Sequence, residues 1–248
     1  MSESTITLIT GPNRGLGRGL LTAFLARENN TVIAAVRDPS APLSKELSSI
    51  PTGSGSKLIT VKIDSAVEGD AKAAVESLTS SGITHLDTVI ANAGTGTEIG
   101  PVLSATAAAV RDTMETNVIG VLGLFQATEP LLHKSSKPKF FTLSSNLGSL
   151  GIMEYAPGPW FTYGITKAAL NYLTRKIHFE NEWLVSVALS PGWVQTDMGA
   201  LAAKAVGMEA APLTVEQSVP GLVSVIDGAT RDTTSGTFTS HDGQPVPW

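Results

Sequence analysis

The stretch Thr10-Gly11-Pro12-Asn13-Arg14-Gly15-Leu16-Gly17 decides how the rest of this chain is read. It follows directly on the apolar run Thr5–Thr10 and opens a helical segment, Gly15–Asn29. Glycine at positions 11, 15 and 17 lets the backbone turn sharply and approach an anion with no Cβ in the way. The helix start then offers free N–H groups and the positive end of the helix dipole, which suits a phosphate. Alone, such a turn is a modest signal, because purely structural turn glycines look the same. Its position after the first strand of a strand–helix–strand unit strengthens it.

Outward from that turn, short β-rich runs alternate with longer helical stretches. The strand candidates are Thr5–Thr10, Thr31–Val36, Lys57–Ile63, Leu86–Ala91, Lys139–Ser145, Leu184–Leu189 and Thr237–Ser240. The helix candidates are Gly15–Asn29, Ala66–Ser81, Ala105–His133, Thr162–Trp183 and Val215–Ala229. Near-continuous apolar strands are the mark of strands buried on both faces. The expected fold is therefore α/β: one Rossmann-type, doubly wound domain over residues 1–248, with about seven parallel strands and helices on both faces. Pro130 implies that the third helix bends or ends near it. Gly53–Ser56 and Asn146–Pro159 read as loops, and Ala200–Pro212 as a mobile or helical insertion.

Composition narrows the function classes. The chain has 248 residues, 42% hydrophobic and 16% charged, enough apolar material for a sizeable core and too much for a disordered chain. A net charge of −5 and a pI near 5.4 argue against nucleic acid or an anionic membrane as the main partner. With no cysteine, disulfides, thiolate metal sites and cysteine nucleophiles are excluded. The four histidines, His85, His133, His178 and His241, have no ligand spacing, so no metal site is expected. The N-terminus lacks the charged and apolar regions of a signal peptide. No apolar run approaches the roughly 18 residues needed to cross a bilayer. The expectation is a cytoplasmic protein.

Two local patterns carry chemistry. The second strand ends in Arg37; a base there favours a dinucleotide bearing a 2′-phosphate, whereas an acid favours a free ribose hydroxyl. Asp38 follows immediately and works the other way if it points inward, and a solvated Arg37–Asp38 pair is the plain alternative. Tyr163-Gly164-Ile165-Thr166-Lys167 puts a phenol and an ammonium on one helix face. A free tyrosine has a pKa near 10, and a nearby cation is expected to lower it towards neutral pH. This spacing is common by chance, so its weight comes from its neighbours.

The TGxxxGxG spacing of Gly11, Gly15 and Gly17, together with that tyrosine–lysine pair, resembles the short-chain dehydrogenase/reductase superfamily, and the likeness covers nearly the whole chain. Arg14 stands inside the turn where NADP-preferring members carry a base, so with Arg37 it implies NADP(H). By the same resemblance, Asn13 and Leu16 belong to the turn, and Asp64 with Ser65 beside it faces the adenine. Asn92, Ala93 and Gly94 match an NNAG motif whose first residue is here Ala91. Pro191, Gly192, Val194 and Thr196 match the segment that contacts the nicotinamide carboxamide.

The resemblance also implies a catalytic tetrad of Asn117, Ser145, Tyr163 and Lys167, filled in the expected order. Asn117 would hold a relay water, Ser145 would bond the substrate carbonyl, and Tyr163 would donate the proton. Lys167 would also hold ribose hydroxyls. Strand alternation puts Ser144 and Ser145 on opposite faces, so one of them serves; Ser145 is the choice and Ser144 the alternative.

Eighteen positions separate Ser145 from Tyr163, longer than is usual in the superfamily. That loop carries Met153, Tyr155, Trp160 and Phe161, stiffened by Pro157 and Pro159; Trp193 and Met198 come from the opposite loop. Together they are expected to form a broad apolar and aromatic substrate pocket, the plain alternative being loop packing. The long loop, His178-Phe179-Glu180-Asn181-Glu182-Trp183 and the closing Asp242–Trp248 resemble the fungal norsolorinic-acid-ketoreductase-like branch, related to Sniffer-like carbonyl reductases. That branch implies reduction of a bulky, aromatic or polyketide-type ketone and a small-molecule carbonyl partner. The superfamily implies a homodimer or homotetramer packed through Ala105–His133 and Thr162–Trp183. Two other classes stay open: a non-catalytic NADP(H)-binding regulator or redox sensor, and an epimerase or dehydratase of the extended type.

Overall fold

A computed structural model describes residues 4–96, 98–155 and 158–248. Seven strands, β1 (Thr5–Thr10), β2 (Asn30–Val36), β3 (Lys57–Lys62), β4 (Thr88–Ala91), β5 (Lys139–Leu143), β6 (Val185–Ser190) and β7 (Phe238–Ser240), form one parallel sheet in the order β3-β2-β1-β4-β5-β6-β7. The helices are α1 (Gly15–Leu25), α2 (Pro42–Lys45), α3 (Asp70–Ser80), α4 (Ala107–Met114), α5 (Gly120–Leu132), α6 (Phe161–Glu180), α7 (Asp197–Ala205) and α8 (Val215–Gly228).

The strands bury both faces because their neighbouring residues are both apolar. Leu8, Ile33, Val89 and Phe140 face a core shared with α3, α5 and α6. The next residues along, Ile9, Ala34, Ile90 and Phe141, face a second core with α1 and α8. Alternation across the pleat thus feeds two cores at once. Chain order reverses at β1, which pairs with β2 on one side and β4 on the other. Crossovers diverge at such a point, leaving a crevice beyond the strand ends where ligands bind in open α/β sheets.

The structure corrects several expected boundaries. The long third helix is three pieces: α4, a π-helical turn over Glu115–Ile119, and α5. The cause is visible at the turn. Asn117 is fully buried, and its amide is tied to the Thr95 backbone and Thr166. Pro130 sits in the last turn of α5, which stops at Leu132. The first helix ends at Leu25 rather than Asn29, which takes a left-handed φ of 55°. The second expected helix starts only at Asp70, after Gly69 at φ 88°. The Ala200–Pro212 insertion contains the end of α7. The short helix α2 was not read from the sequence; it forms where Ser44 and Leu47 become buried. Among the described residues, no helix is long and apolar enough to cross a membrane.

Because the π-helical turn drives α5 against the loop after β3, a Cβ on Gly120 would lie 2.1 Å from the Ser65 carbonyl oxygen. Gly120→Ala is therefore expected to destabilise the fold by about 2 kcal/mol through overpacking. In a thermal melt that is a drop of roughly 4–8 °C for a chain of this size.

Candidate active site

The turn after β1 is built around one hydroxyl. Thr10 Oγ1 accepts from the Asn92 and Ala93 main-chain N–H groups at 3.0 and 2.9 Å. In return, the Asn92 side-chain amide donates to the carbonyls of Thr10 (2.8 Å) and Gly11 (3.1 Å). Both N–H bonds of that amide are engaged, so Asn92 is a clamp between the ends of β1 and β4. Gly11 and Gly15 take positive φ of 63° and 52°, which side chains resist. A Cβ on Gly17 would lie 2.3 Å from the Gly11 carbonyl and one on Gly15 3.0 Å from Thr196. No side chain caps α1, so its first N–H groups have no side-chain partner.

A cleft of about 1920 Å³ runs over this turn. Asn13, Arg14, Leu16, Arg37, Asp64, Ser65, Asn92, Ala93 and Gly94 line it, with Tyr163, Lys167, Pro191 and Thr196 at its inner end. Asp64 accepts from the Ala66 N–H and so shapes the loop beside Ser65. Gly192 and Val194 belong instead to a second, adjoining cavity. Arg37 is exposed on the cleft, but Arg14 is engaged by Asp197 at 2.6 Å, so the two guanidiniums do not converge here. That ion pair is exposed on both sides, the kind worth little to stability and readily exchanged for another anion. Asp38 does not point inward: its carboxylate accepts from the Ser40 N–H and hydroxyl, which hold its pKa down.

The second cavity, about 500 Å³, adjoins the inner end of the cleft, and Tyr163 lines both. Ser145 opens into it from just beyond β5, its hydroxyl accepting from the Leu147 N–H at 3.2 Å. Ser144 is buried and donates to Asn171 on α6, turned away from that cavity. Tyr155, Trp160, Trp193 and Met198 form apolar walls, and the Trp193 indole is fixed by a 3.2 Å bond to the Gly199 carbonyl. Met153 and Phe161 do not line this cavity; Met153 lies exposed in a short 3-10 turn and Phe161 begins α6. Pro157 lies outside the described residues. Gly96, Glu98, Ile99, Ala202 and Val206 also line it and were not singled out from the sequence. Gly96 alone had a local signal, its place just after Asn92-Ala93-Gly94; a Cβ there would press on the Tyr163 ring at 2.6 Å.

The electrostatics depart from expectation. Lys167 is buried, and Nζ donates to the Leu143 carbonyl at 2.7 Å while lying 5.3 Å from the Tyr163 ring centre. Burial lowers its pKa to about 8, so it still carries most of its charge at neutral pH. The Tyr163 phenol is not lowered by that charge; burial pushes it up instead. Asn117 accepts from the Thr95 N–H and donates to the Thr95 carbonyl and the Thr166 hydroxyl. Both N–H bonds of its side chain are therefore occupied, while the amide oxygen, with one bond accepted, keeps a second lone pair.

Known proteins resemble this chain in sequence and in fold. The sequence profile of the family described as short chain dehydrogenase matches residues 5–206. Over the whole chain, the sequence is 46% identical to norsolorinic acid ketoreductase of Dothistroma septosporum, covering 94% of that protein. It is 42% identical to the norsolorinic acid ketoreductase of Aspergillus parasiticus, covering 99% of this chain and 92% of that one. Among solved structures, the NADPH-bound carbonyl reductase from chicken fatty liver superposes with a TM-score of 0.87 at 31% identity, over 99% of this chain and 100% of the other. The carbonyl reductase Sniffer of D. melanogaster gives 0.85 at 26% identity, with the same coverage.

Removing the Thr10 hydroxyl while keeping its shape tests the clamp. Thr10→Val is expected to lower the unfolding free energy by about 2–6 kcal/mol in urea, since two amides lose their acceptor at about 1–3 kcal/mol each. An unchanged midpoint would show that the clamp is not holding the turn.

Proposed function

Since this chain belongs to the short-chain dehydrogenase family, we propose that it reduces a bulky aromatic or polyketide-type ketone to an alcohol with NADPH. The observation that carries this reading is Tyr163, which lines both the nucleotide cleft and the aromatic cavity. A group held in the cleft and a ketone held in the cavity therefore meet at one phenol. The names of the relatives point to the same chemistry.

The residues present fit a dinucleotide. A glycine turn with no room for a Cβ, an α1 N-terminus with no side-chain cap, and Arg37 on the cleft match a pyrophosphate and a 2′-phosphate. When bound, NADPH supplies the hydride. The chain's own residues do the rest. Ser145 faces the cavity, where its hydroxyl can donate to the carbonyl oxygen as negative charge builds on it. Tyr163, kept protonated by burial, gives that oxygen its proton. Lys167, charged at neutral pH and anchored on the Leu143 carbonyl, supplies positive potential beside the phenol once proton transfer begins. Asn117 holds the backbone at Thr95 and the Thr166 hydroxyl, which itself donates to the Tyr163 carbonyl. It thus positions the helix turn that carries Tyr163. The aromatic walls exclude water and favour a flat apolar ketone; a cavity near 500 Å³ falls in the usual range for a small organic ligand.

Assembly follows from the same helix. Ile165, Tyr172 and Phe179 are exposed at seven-residue spacing on α6, with Ile119 exposed at the π-helical turn before α5. Such a stripe supports a homodimer or homotetramer packed through these helices.

Tyr163→Phe is expected to cut kcat for aromatic ketone reduction by roughly 10²–10⁴-fold, the usual worth of a general acid. NADPH affinity, read by fluorescence titration, should stay at the wild-type value; retained turnover would refute the assignment. Arg37→Ala is expected to raise KM for NADPH by roughly tenfold or more, as for a lost charge-assisted hydrogen bond. KM for NADH should not move, and equal effects on both cofactors would remove Arg37 from the 2′-phosphate.

A further inference from the structure

Past β7 the chain folds back on itself. Gly243 turns at φ 82°, and the Asp242 carboxylate accepts from the Gln244 N–H at 3.2 Å. Ser240 then donates to the Gln244 carbonyl, and the Val246 N–H to that of Phe238, each at 2.8 Å. Residues 244–246 thereby cover the open edge of the sheet, a common protection against edge pairing.

Edge protection does not account for Pro247 and Trp248, which run on to the segment between β5 and α6. The buried Ser149 hydroxyl donates to the Pro247 carbonyl at 2.6 Å, and the Gly151 N–H donates to the Trp248 main-chain oxygen at 2.8 Å. The Trp248 ring is held between two groups: it stacks on Phe238 at 5.7 Å, and the Arg175 guanidinium lies 4.9 Å from its centre. The fit is close enough that a Cβ on Gly151 would meet the Pro247 side chain at 2.8 Å.

The segment so held begins at Ser145 and carries Tyr155 and Trp160, two walls of the aromatic cavity. Its start is fixed to α6 by Asn171, which donates to the Gly148 carbonyl, and its end by the Gly100 N–H on the Pro159 carbonyl. Between those anchors, among the described residues, the long-range hydrogen bonds made by 149–155 all run to the oxygens of Pro247 and Trp248.

We infer that Pro247–Trp248 is a positioning element for the substrate cavity, setting where Tyr155 closes the outer wall. This rests on the ketoreductase reading for its kinetic consequence and on the contacts alone for its structural one. Neither residue touches the cleft or the reacting groups, so the effect should fall on bulky ketones and spare the nucleotide.

The test uses the full chain with Gly151→Ala, which wedges the two segments apart, and with Trp248→Ala and Trp248→Phe. For a bicyclic aryl ketone, Gly151→Ala and Trp248→Ala should raise KM by roughly three- to tenfold, the equivalent of one lost hydrogen bond. KM for a small ketone too short to reach Tyr155, and the affinity for NADPH, should stay at wild-type values, and Trp248→Phe should restore the bulky-ketone KM. Hydrogen exchange at Gly151 and its neighbours should speed up in Trp248→Ala. An unchanged bulky-ketone KM, or parallel losses for both ketones and NADPH, would overturn the inference. If the wild-type chain reduces no ketone, the ketoreductase reading fails, and exchange still decides this one. Faster exchange at 149–155 supports it, and exchange changed only at 244–248 overturns it.

Discussion

The hydroxyl of Thr10 accepts from two main-chain amides of a neighbouring strand end, and the nucleotide cleft depends on that contact. Parallel strands that part at a switch point leave backbone groups without ladder partners, and buried amides without an acceptor are costly. Thr10 and Asn92 satisfy them reciprocally, so β1 and β4 stop pairing without losing order. The glycine turn then leaves β1 in a defined direction, α1 starts with uncapped N–H groups, and Gly94 is held against Asn117 and Lys167. A side chain at Gly17 would strike this clamp from the other side.

Burial is the second organising constraint, and it acts on chemistry as well as on packing. The same low-polarity surroundings push the Tyr163 phenol up and the Lys167 ammonium down. In the proposed reaction the upward shift would suit Tyr163 as a proton donor, because the phenol would stay loaded until an alkoxide stronger than itself developed beside it. The charge left on Lys167 would then favour that transfer. The π-helical turn at Glu115–Ile119 serves the same end mechanically. It brings Asn117 under the helix turn of Tyr163 and Thr166, where a regular helix would have continued past.

Much of this was legible in the sequence because the signals are local. The seven strands are short runs in which apolar residues follow one another, and only a sheet covered on both faces accommodates them. The glycine spacing and the tyrosine–lysine interval are equally local; pleat alternation put Ser144 and Ser145 on opposite faces, and the family resemblance favoured Ser145. Less legible was whatever depended on a distant partner. The break in the third helix comes from Thr95 and Thr166, 22 and 49 positions from Asn117. Four of six expected pocket residues line the cavity, while Met153 and Phe161 do not, because loop composition says nothing of which way a loop folds. Glu98, Ala202 and Val206 reach the cavity from segments with no motif of their own.

By itself, then, the sequence determined the alternation of strands and helices and the glycine turn after β1, while Tyr163 and Lys167 were implied as a reacting pair by resemblance to a family. The first two follow from periodicity and glycine conformations, which are properties of neighbouring residues. Tertiary structure decided the direction of the Tyr163 shift, the pairing of Arg14 with Asp197, the inward or outward turn of Asp38 and the tethering of the long loop by Trp248. Each of these is set by which groups come to lie within a few ångströms across long stretches of chain. Desolvation and hydrogen bonding respond to that neighbourhood, not to position along the chain.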